Sequence, residues 1–557
     1  MKFTKILTTA AVAFGATVAL SGCIRETFPQ EGAITSEQLQ QGQMDVVAEN
    51  LLKGIPSGMM SYVSGWEHTD FGYHSVGAYN DHACALIASN GWQLGNPAGY
   101  SRFYAASYGW GYAENNALPQ HVWYNYYPQI KSCNDMINLV GDNEQLQHYV
   151  GIAKTFRAMF YLDLARMFEC LYAEAPNNGS YEDQQIKVAG LTVPIVDETT
   201  DETSAKNNPR ATREEMFNFI FADLAAAEEA LAEYNQSNIV NPDLAVVYGL
   251  YARAYMWLGG FDDGLNGELP SGNEAYAKAS EYANKALAAH GGAITTEAEW
   301  TSTTTGFNTP VASWMWGLTW SSDTIINNLF QFTAHLSPEA AYGYGPLSQP
   351  GVSAKAFNRL QKTDFRRNLI KGPETSFAEF APYTLMTSAD EFNTIAPYTF
   401  FKFRPAQGER NDYMTAGAIS LPLMRAEEMY FIDMEATLHT SGVDAAWQKL
   451  VAFMAHRDTN YVCPKADYEG VLEEIIFQKG VEFWGEGIVM YDMKRLDMGI
   501  DTAFQGTNFP ADARFQIEGR VPWWSYCIPL GETQINLAIK ENNPNPSQSW
   551  DPILPME

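Results

Sequence analysis

The apolar positions of this chain recur at helical intervals from about residue 121 onward. Phe156, Met159, Phe160, Leu164, Met167 and Leu171 step by three or four residues, which predicts one apolar stripe along a helix. Thr212 followed by Glu215 is a capping-box pattern and predicts a helix running to about Tyr234. Pro242 marks the first turn of the next helix, which ends at Gly259-Gly260. Another spans about 273–289, before Gly291-Gly292. Nearer the start, residues 35–60 predict a helix with Thr35 or Ser36 as cap and Gly54 as stop. Two stretches carry no period. Residues 61–120 are rich in Gly, Asn, Tyr and Trp, and read as long loops with short helices of the kind that face ligands. Residues 292–420 are dominated by Thr, Ser, Gly, Pro and aromatics, with apolar runs at 313–316 and 398–403 that predict small strands.

The helices pair. Ala252, Tyr255, Leu258, Gly259 and Phe261, then Ala279, Ala286 and Leu287, resemble the spacing of a tetratricopeptide repeat with 262–274 inserted. Small residues sit where two antiparallel helices cross, and aromatic residues fill the adjoining holes. Pairs at about 123–140 with 146–173, 212–234 with 243–259, and 424–439 with 443–457 extend the stack. The expected fold is mainly α: a tetratricopeptide-like solenoid of helical pairs as scaffold, with a second, loop-rich lobe containing short strands.

The first residues form a leader. Lys2 and Lys5 precede a mostly apolar run, Ile6 to Leu20, that is too short to span a bilayer. It ends in Leu20-Ser21-Gly22-Cys23, which resembles a bacterial lipobox. Cys23 is then the lipid anchor and the first mature residue. No later run reaches the roughly 18 unbroken apolar residues of a spanning helix. The expected organisation is residues 1–22 as signal peptide, 23–34 as lipidated tether and 35–291 as an N-terminal part with ligand-facing loops and helical repeats. Residues 292–420 form the inserted loop-rich lobe, and 421–557 form a C-terminal part whose helices return to the scaffold.

Composition narrows the chemistry. A formal net charge of −30 repels phosphate backbones, so nucleic acid is excluded as a partner, and the membrane is met through the anchor only. Six Cys include Cys23, which leaves an odd number, and none are spaced as CxxC. Neither a disulfide framework nor a zinc site is expected, and Cys84, Cys133 and Cys170 read as small buried apolar residues. No GxSxG, HExxH, Walker or GxGxxG motif occurs, and the nine His lack metal-ligand spacing. Residues 262–268 lack EF-hand spacing and read as a solvated turn. Glu427, Glu428, Asp433 and Glu435, with Arg425, read as a paired polar network rather than an acid/base site. No catalytic residue, cofactor or metal is expected.

Several segments, in order, resemble the SusD/RagB family of Bacteroidetes outer-membrane lipoproteins. They are the lipobox; Tyr127, Ile130 and Asn134 in 123–140; 156–168 (FRAMFYLDLARMF); 421–436 (LPLMRAEEMYFIDMEA); 482–495 (EFWGEGIVMYDMKR); and Cys527-Ile528-Pro529 followed by Gln534, Ile535 and Asn536. The chain departs from the family pattern at 169–176, at Gln478 and Lys479, and at Gln534. The resemblance implies a cell-surface protein, not an enzyme, that captures a glycan and passes it to a SusC-like TonB-dependent transporter. A RagB-like branch that binds peptides is the alternative within the family, and a secreted glycoside hydrolase is the alternative of another class. Sugar rings stack on Trp and Tyr faces, while Asn, Gln, Asp and Arg read their hydroxyls. The segment 90–116 mixes both kinds. Trp92, Tyr100, Trp110 and Tyr112 are its candidate ligand contacts, with Trp66 and Tyr73 as second choices. Trp320, Tyr342 and Tyr344 are expected on the surface, Trp314 and Trp316 buried, and Trp123 and Trp484 in the core.

Overall fold

A computed structural model describes residues 44–60, 63–64, 70–71, 88–89, 113–236, 238–325, 336–343, 349, 351–463, 467–509 and 511–553. The chain divides into two compact units, Met1–Asn50 and Leu51–Glu557. The described part of the first is the opening of helix α1 (Met44–Met60), which continues into the second. The stop expected at Gly54 is not used. The helix runs through both Gly54 and Pro56, because one glycine costs only about 1 kcal/mol and does not by itself end a helix.

The scaffold of the second unit is a succession of packed helices: α2 (Ala117–Val140), α3 (Gln147–Phe168), α4 (Arg213–Ala230), α5 (Leu244–Gly259) and α6 (Gly272–His290). Each packs on the next. Residues 292–420 then intervene in sequence but not in the stack. Helix α6 packs directly on α8 (Ala426–Ser441), which packs on α9 (Val443–Met454) and α10 (Tyr468–Glu482). The small residues expected at the α5/α6 crossing are there: Ala252, Ala279 and Ala286 are fully buried. At Gly259 a Cβ would come within 2.7 Å of the Tyr276 ring, so only glycine allows that approach.

Helix α3 departs from the amphipathic expectation. Every residue from Thr155 to Phe168 is buried, and Leu171 lies beyond its end. Helices α2 and α4 cover two of its sides, and the C-terminal segment covers another, with Tyr526 N–H donating to Met167 O at 3.0 Å. Polar residues on such a helix need buried partners. Arg157 supplies the main one: it donates to Asp223 at 2.7 and 2.8 Å, to Asn134 at 2.6 Å and to Glu198 at 2.6 Å, tying α2, α3 and α4 together. Helix α4 starts at the expected capping box of Thr212 and Glu215. Helix α5 starts at Asp243, whose carboxylate accepts from Val246 N–H, so Pro242 precedes the helix rather than lying in its first turn.

The lobe is built from short pieces: the run at 313–316 falls in a strand, whereas 398–403 makes only isolated bridges, at Thr399 and Phe400, and no strand. Strand β4 (Trp314–Thr319) pairs antiparallel with β6 (Ser420–Arg425), in register Trp314 with Arg425 and Thr319 with Ser420, interrupted by bulges on either side of Trp316. Arg425 is at once the last residue of β6 and the cap position of α8, so lobe sheet and scaffold helix share a residue. Trp314 and Trp316 are buried, and Trp316 Nε1–H donates to Val240 O at 2.8 Å. Phe380, Met386, Phe392, Ile395 and Phe401 form a separate apolar cluster inside the lobe.

Candidate functional site

Trp66, Trp92, Tyr100, Trp110 and Tyr112, and the anchor Cys23, lie outside the described residues. What surrounds the aromatic segment is described. Strand β3 (Ala88–Ser89), immediately before residue 90, pairs antiparallel with Gly351–Val352 of the lobe. Residue 113, after it, leads into scaffold helix α2.

Trp320 differs from its expected surface position. It is 6% exposed, and its indole N–H donates to Met60 O at 3.0 Å, at the end of α1. It fastens the point from which the chain enters residues 61–112. Tyr342 is also buried, packed with Ala340, Ala416 and Tyr413. Both were expected outside because they lie in Gly/Ser-rich stretches; partners distant in sequence, Met60 for Trp320 and Ala416 and Tyr413 for Tyr342, bury them instead. Trp123 and Trp484 are core residues, as expected.

Sequence reasoning passed over one polar row. His121, Asn125 and Gln129 follow one another at helical spacing on α2, and all are buried. Burial lowers the His121 pKa to about 3, so its ring is neutral. Asn125 Oδ1 and Gln129 Oε1 accept no hydrogen bond from the described residues. At Gly58 a Cβ would collide with the Gln129 amide, so α1 crosses α2 there at close range. The i, i+4, i+8 spacing of three polar residues was visible in the sequence and was the available signal.

A buried lattice of ion pairs fixes the lobe on the scaffold. Glu482, at the end of α10, accepts from Arg457 at 2.8 and 2.9 Å, from Arg425 at 3.2 Å and from Arg366 at 3.2 Å. Arg366 also pairs with Asp364 at 2.7 Å, and Arg425 with Glu427 at 3.1 Å and Glu486 at 3.0 Å. Lys402 of the lobe donates to Glu486 at 2.6 Å and to the carbonyls of Glu482 and Trp484 at 3.0 and 2.8 Å. Burial lowers the Lys402 pKa to about 8, against the opposing pull of Glu486. Four cations thus meet four carboxylates without solvent. The α8 acids are all engaged, in keeping with a network rather than an acid/base pair. Glu428 pairs with Arg253 at 2.6 Å, Glu435 with Arg495 at 2.7 Å, and Asp433 accepts from Ser280 and Asn284 and pairs with Lys449. Burial raises the Glu435 pKa, but Arg495 and His439 outweigh it and hold the carboxyl at about 2.

The turn at 262–268 is less solvated than expected. Asp263 takes a two-toothed grip from Arg213 at 2.8 and 3.0 Å, and Asn266 Oδ1 accepts from the same guanidinium at 2.9 Å. Cys133, Cys170, Cys463 and Cys527 are free and buried. No described helix is long and apolar enough to cross a membrane.

The described residues form a helical scaffold joined to the lobe by buried ion pairs, and comparison with known proteins shows what this chain is similar to. A SusD-like family profile, described as "Starch-binding associating with outer membrane", matches residues 94–256, a span that contains Tyr100, Trp110 and Tyr112. No curated protein matches the chain. Among solved structures, a SusD-like carbohydrate binding protein from Bacteroides vulgatus is 20% identical, with 89% of this chain and 97% of that one aligned at a TM-score of 0.65. A SusD superfamily protein from Bacteroides thetaiotaomicron is 18% identical, over 90% and 99%, at 0.64. Surface glycan-binding protein A from the same species, in complex with laminarihexaose, is 14% identical over 90% and 99%, at 0.61. At these identities the likeness is one of fold. The chain has the fold of the SusD superfamily structures, and its residues 94–256 match the SusD-like profile.

Proposed function

We propose that this protein is a lipid-anchored binding protein of the cell surface. It captures an oligo- or polysaccharide and delivers it to a SusC-like TonB-dependent transporter, without cleaving it. The observation that carries the reading is the full-length likeness of fold to carbohydrate-binding relatives, including one solved with laminarihexaose. The lipobox at Cys23 and the aromatic-rich sequence of 90–116 support it. In this reading Trp92, Tyr100, Trp110 and Tyr112, with Trp66, offer ring faces to the sugar, and Trp320 positions the entry to that segment rather than touching ligand.

Affinity electrophoresis against a polysaccharide panel tests it. Retardation without release of reducing ends is expected, and the variant carrying Trp92→Ala and Trp110→Ala is expected to migrate as in a ligand-free gel while keeping its circular-dichroism spectrum. Turnover of a polysaccharide would replace the binder by a hydrolase. Retention of oligopeptides instead of sugars would select the peptide-binding branch.

A further inference from the structure

Helices α4, α5 and α6 carry a slab of stacked rings on the side they share. Phe221 of α4, Tyr251 and Tyr255 of α5 and Tyr282 of α6 are its members. Tyr282 stacks on Tyr251 with ring centres 4.4 Å apart and on Tyr255 at 5.6 Å. Phe221 stacks on Tyr255 at 4.7 Å and on Tyr251 at 5.8 Å. Tyr248, Tyr251 and Tyr255 recur at three and four residues along α5, which puts them on one face. Tyr248 extends the row, 6.1 Å from Tyr282. Tyr251 is buried at the centre, while Phe221, Tyr248, Tyr255 and Tyr282 are partly exposed.

The ring faces are taken. Tyr255 lies between Phe221 and Tyr282, and Tyr282 lies between Tyr251 and the ammonium of Lys285, whose Nζ sits over its ring at 4.4 Å. What remains open is edges and hydroxyls. Tyr251 is 5% exposed, yet its hydroxyl makes no hydrogen bond with the described residues and is not enclosed, so its open part includes its polar tip. The Tyr255 and Tyr282 hydroxyls are likewise without a partner among the described residues and reach solvent. Beside them Tyr248 O–H donates to Glu228 Oε1 at 3.2 Å. Glu228, Glu229 and Glu233 make no ion pair with the described residues, whereas Lys278 and Lys285 are both held by Glu281, at 3.1 and 2.9 Å. The edge is therefore acidic. Ala225, exposed one turn on from Phe221, leaves the approach along α4 clear.

We infer that the hydroxyl edge of this slab docks another protein through an extended segment bearing lysine or arginine. Main-chain carbonyls of that segment accept from the Tyr251, Tyr255 and Tyr282 hydroxyls, and its cationic side chain meets Glu228. Other occupants fail on the same observations. A sugar needs an open ring face for its C–H groups and finds none. A polyanion is repelled, and a second copy of this chain set edge to edge would bring like charge against Glu228 and Glu229. A basic segment gains the three donors and the unpaired carboxylates together. Tyrosine suits such a surface, because its ring is already packed and only its polar tip is left for the partner.

Selection of displayed random dodecapeptides on the full chain in detergent tests this. Sequences rich in Lys and Arg are expected, and the strongest of them, labelled for fluorescence anisotropy, gives the reference affinity. Tyr251→Phe, Tyr255→Phe and Tyr282→Phe together keep every ring and every charge and remove three hydroxyls, so binding should weaken about tenfold or more. The pair Tyr255→Phe and Tyr282→Phe alters only partly exposed residues, and with an unchanged near-ultraviolet circular-dichroism spectrum it should still weaken binding by about threefold or more. Glu228→Gln should weaken it as well. Glu374→Gln, an exposed change in the lobe beyond helix α7 (Ala354–Arg359), should leave it unchanged, which separates docking from the general attraction of basic peptides to an acidic protein. Equal affinity for wild type and the hydroxyl-free variants overturns the inference. So does a selection that enriches nothing, or that enriches sequences without basic residues.

Discussion

Replacing Glu482 by Gln removes the one carboxylate on which three arginines converge. Glu482 is fully buried, and burial would raise its pKa; Arg457, Arg425 and Arg366 outweigh that and hold it well below the ordinary 4.5. Breaking a buried pair by removing one partner costs about 3–5 kcal/mol, because the other charge is stranded. Here the three cations are stranded unequally. Arg366 keeps Asp364 at 2.7 Å, and Arg425 keeps Glu427 and Glu486 at 3.1 and 3.0 Å. Arg457 keeps one carboxylate, Glu427 at 3.4 Å, and the Thr295 and His456 carbonyls at 2.8 and 3.3 Å. The loss therefore falls mainly on one ion, and Gln preserves shape and one acceptor, so about 3 kcal/mol is expected. Urea unfolding followed by circular dichroism measures it from the midpoint at constant slope. Adding Arg457→Met removes the stranded cation, so the double variant should be more stable than the sum of the singles by about 1 kcal/mol or more. The sign with pH also follows. A carboxyl depressed by folding contributes stability above its unfolded value of 4.5, and that contribution is lost as pH falls toward the folded value. The variant's acid limb should be shallower. A Glu482→Gln cost under about 1 kcal/mol, or strictly additive singles, would refute the idea that this lattice fixes the lobe.

Lys494→Met should change the alkaline side of the profile. Its ammonium is buried and donates to the carbonyls of Arg166, Glu169 and Met167 at 2.7, 2.8 and 3.3 Å, at the end of α3, and burial lowers its pKa from 10.5 to about 7. Between those values the unfolded chain binds more protons, so wild-type stability rises with pH, and the methionine variant should lose that share of the rise in urea midpoints taken from pH 7 to 10. Cys23→Ser should move the protein from envelope to soluble fractions on cell fractionation. Retention in the envelope would remove the lipid anchor from the proposed function.

Most of the scaffold could be read because its signals are local. The Thr212 capping box, the stop before Gly291 and the alanines of the α5/α6 crossing each follow from a few neighbouring residues. The errors arose where long-range packing overrides a local rule. Gly54 sits in open space on α1 and ends nothing. Helix α3 looked amphipathic because six apolar positions were counted, while Arg157, Asp163 and Arg166 on its other faces are buried as well. Their partners lie far along the chain: Arg157 meets Asp223, and the α3 terminus meets Lys494. Trp320 looked exposed for the same reason, since nothing near it in sequence announces Met60 as its acceptor.

The same residues explain why the family resemblance was legible while the ligand was not. The motif positions quoted from the sequence prove to be scaffold contacts. Tyr127 donates to Pro194 O at 2.7 Å, Asn134 donates to Val196 O at 3.0 Å, and Arg425, Glu482, Glu486 and Arg495 are members of the buried ion pairs. Even the departures obey this logic. Gln478 accepts from Arg366 at 2.5 Å and Lys479 pairs with Asp492 at 2.7 Å, each inserted into the lattice rather than exposed to a ligand. A buried charge tolerates few substitutions, because its removal strands a partner. A residue that stacks on a sugar has no such constraint from the fold. A sequence pattern built on the first class identifies the platform. Only binding measured against variants of the second class identifies what the platform carries.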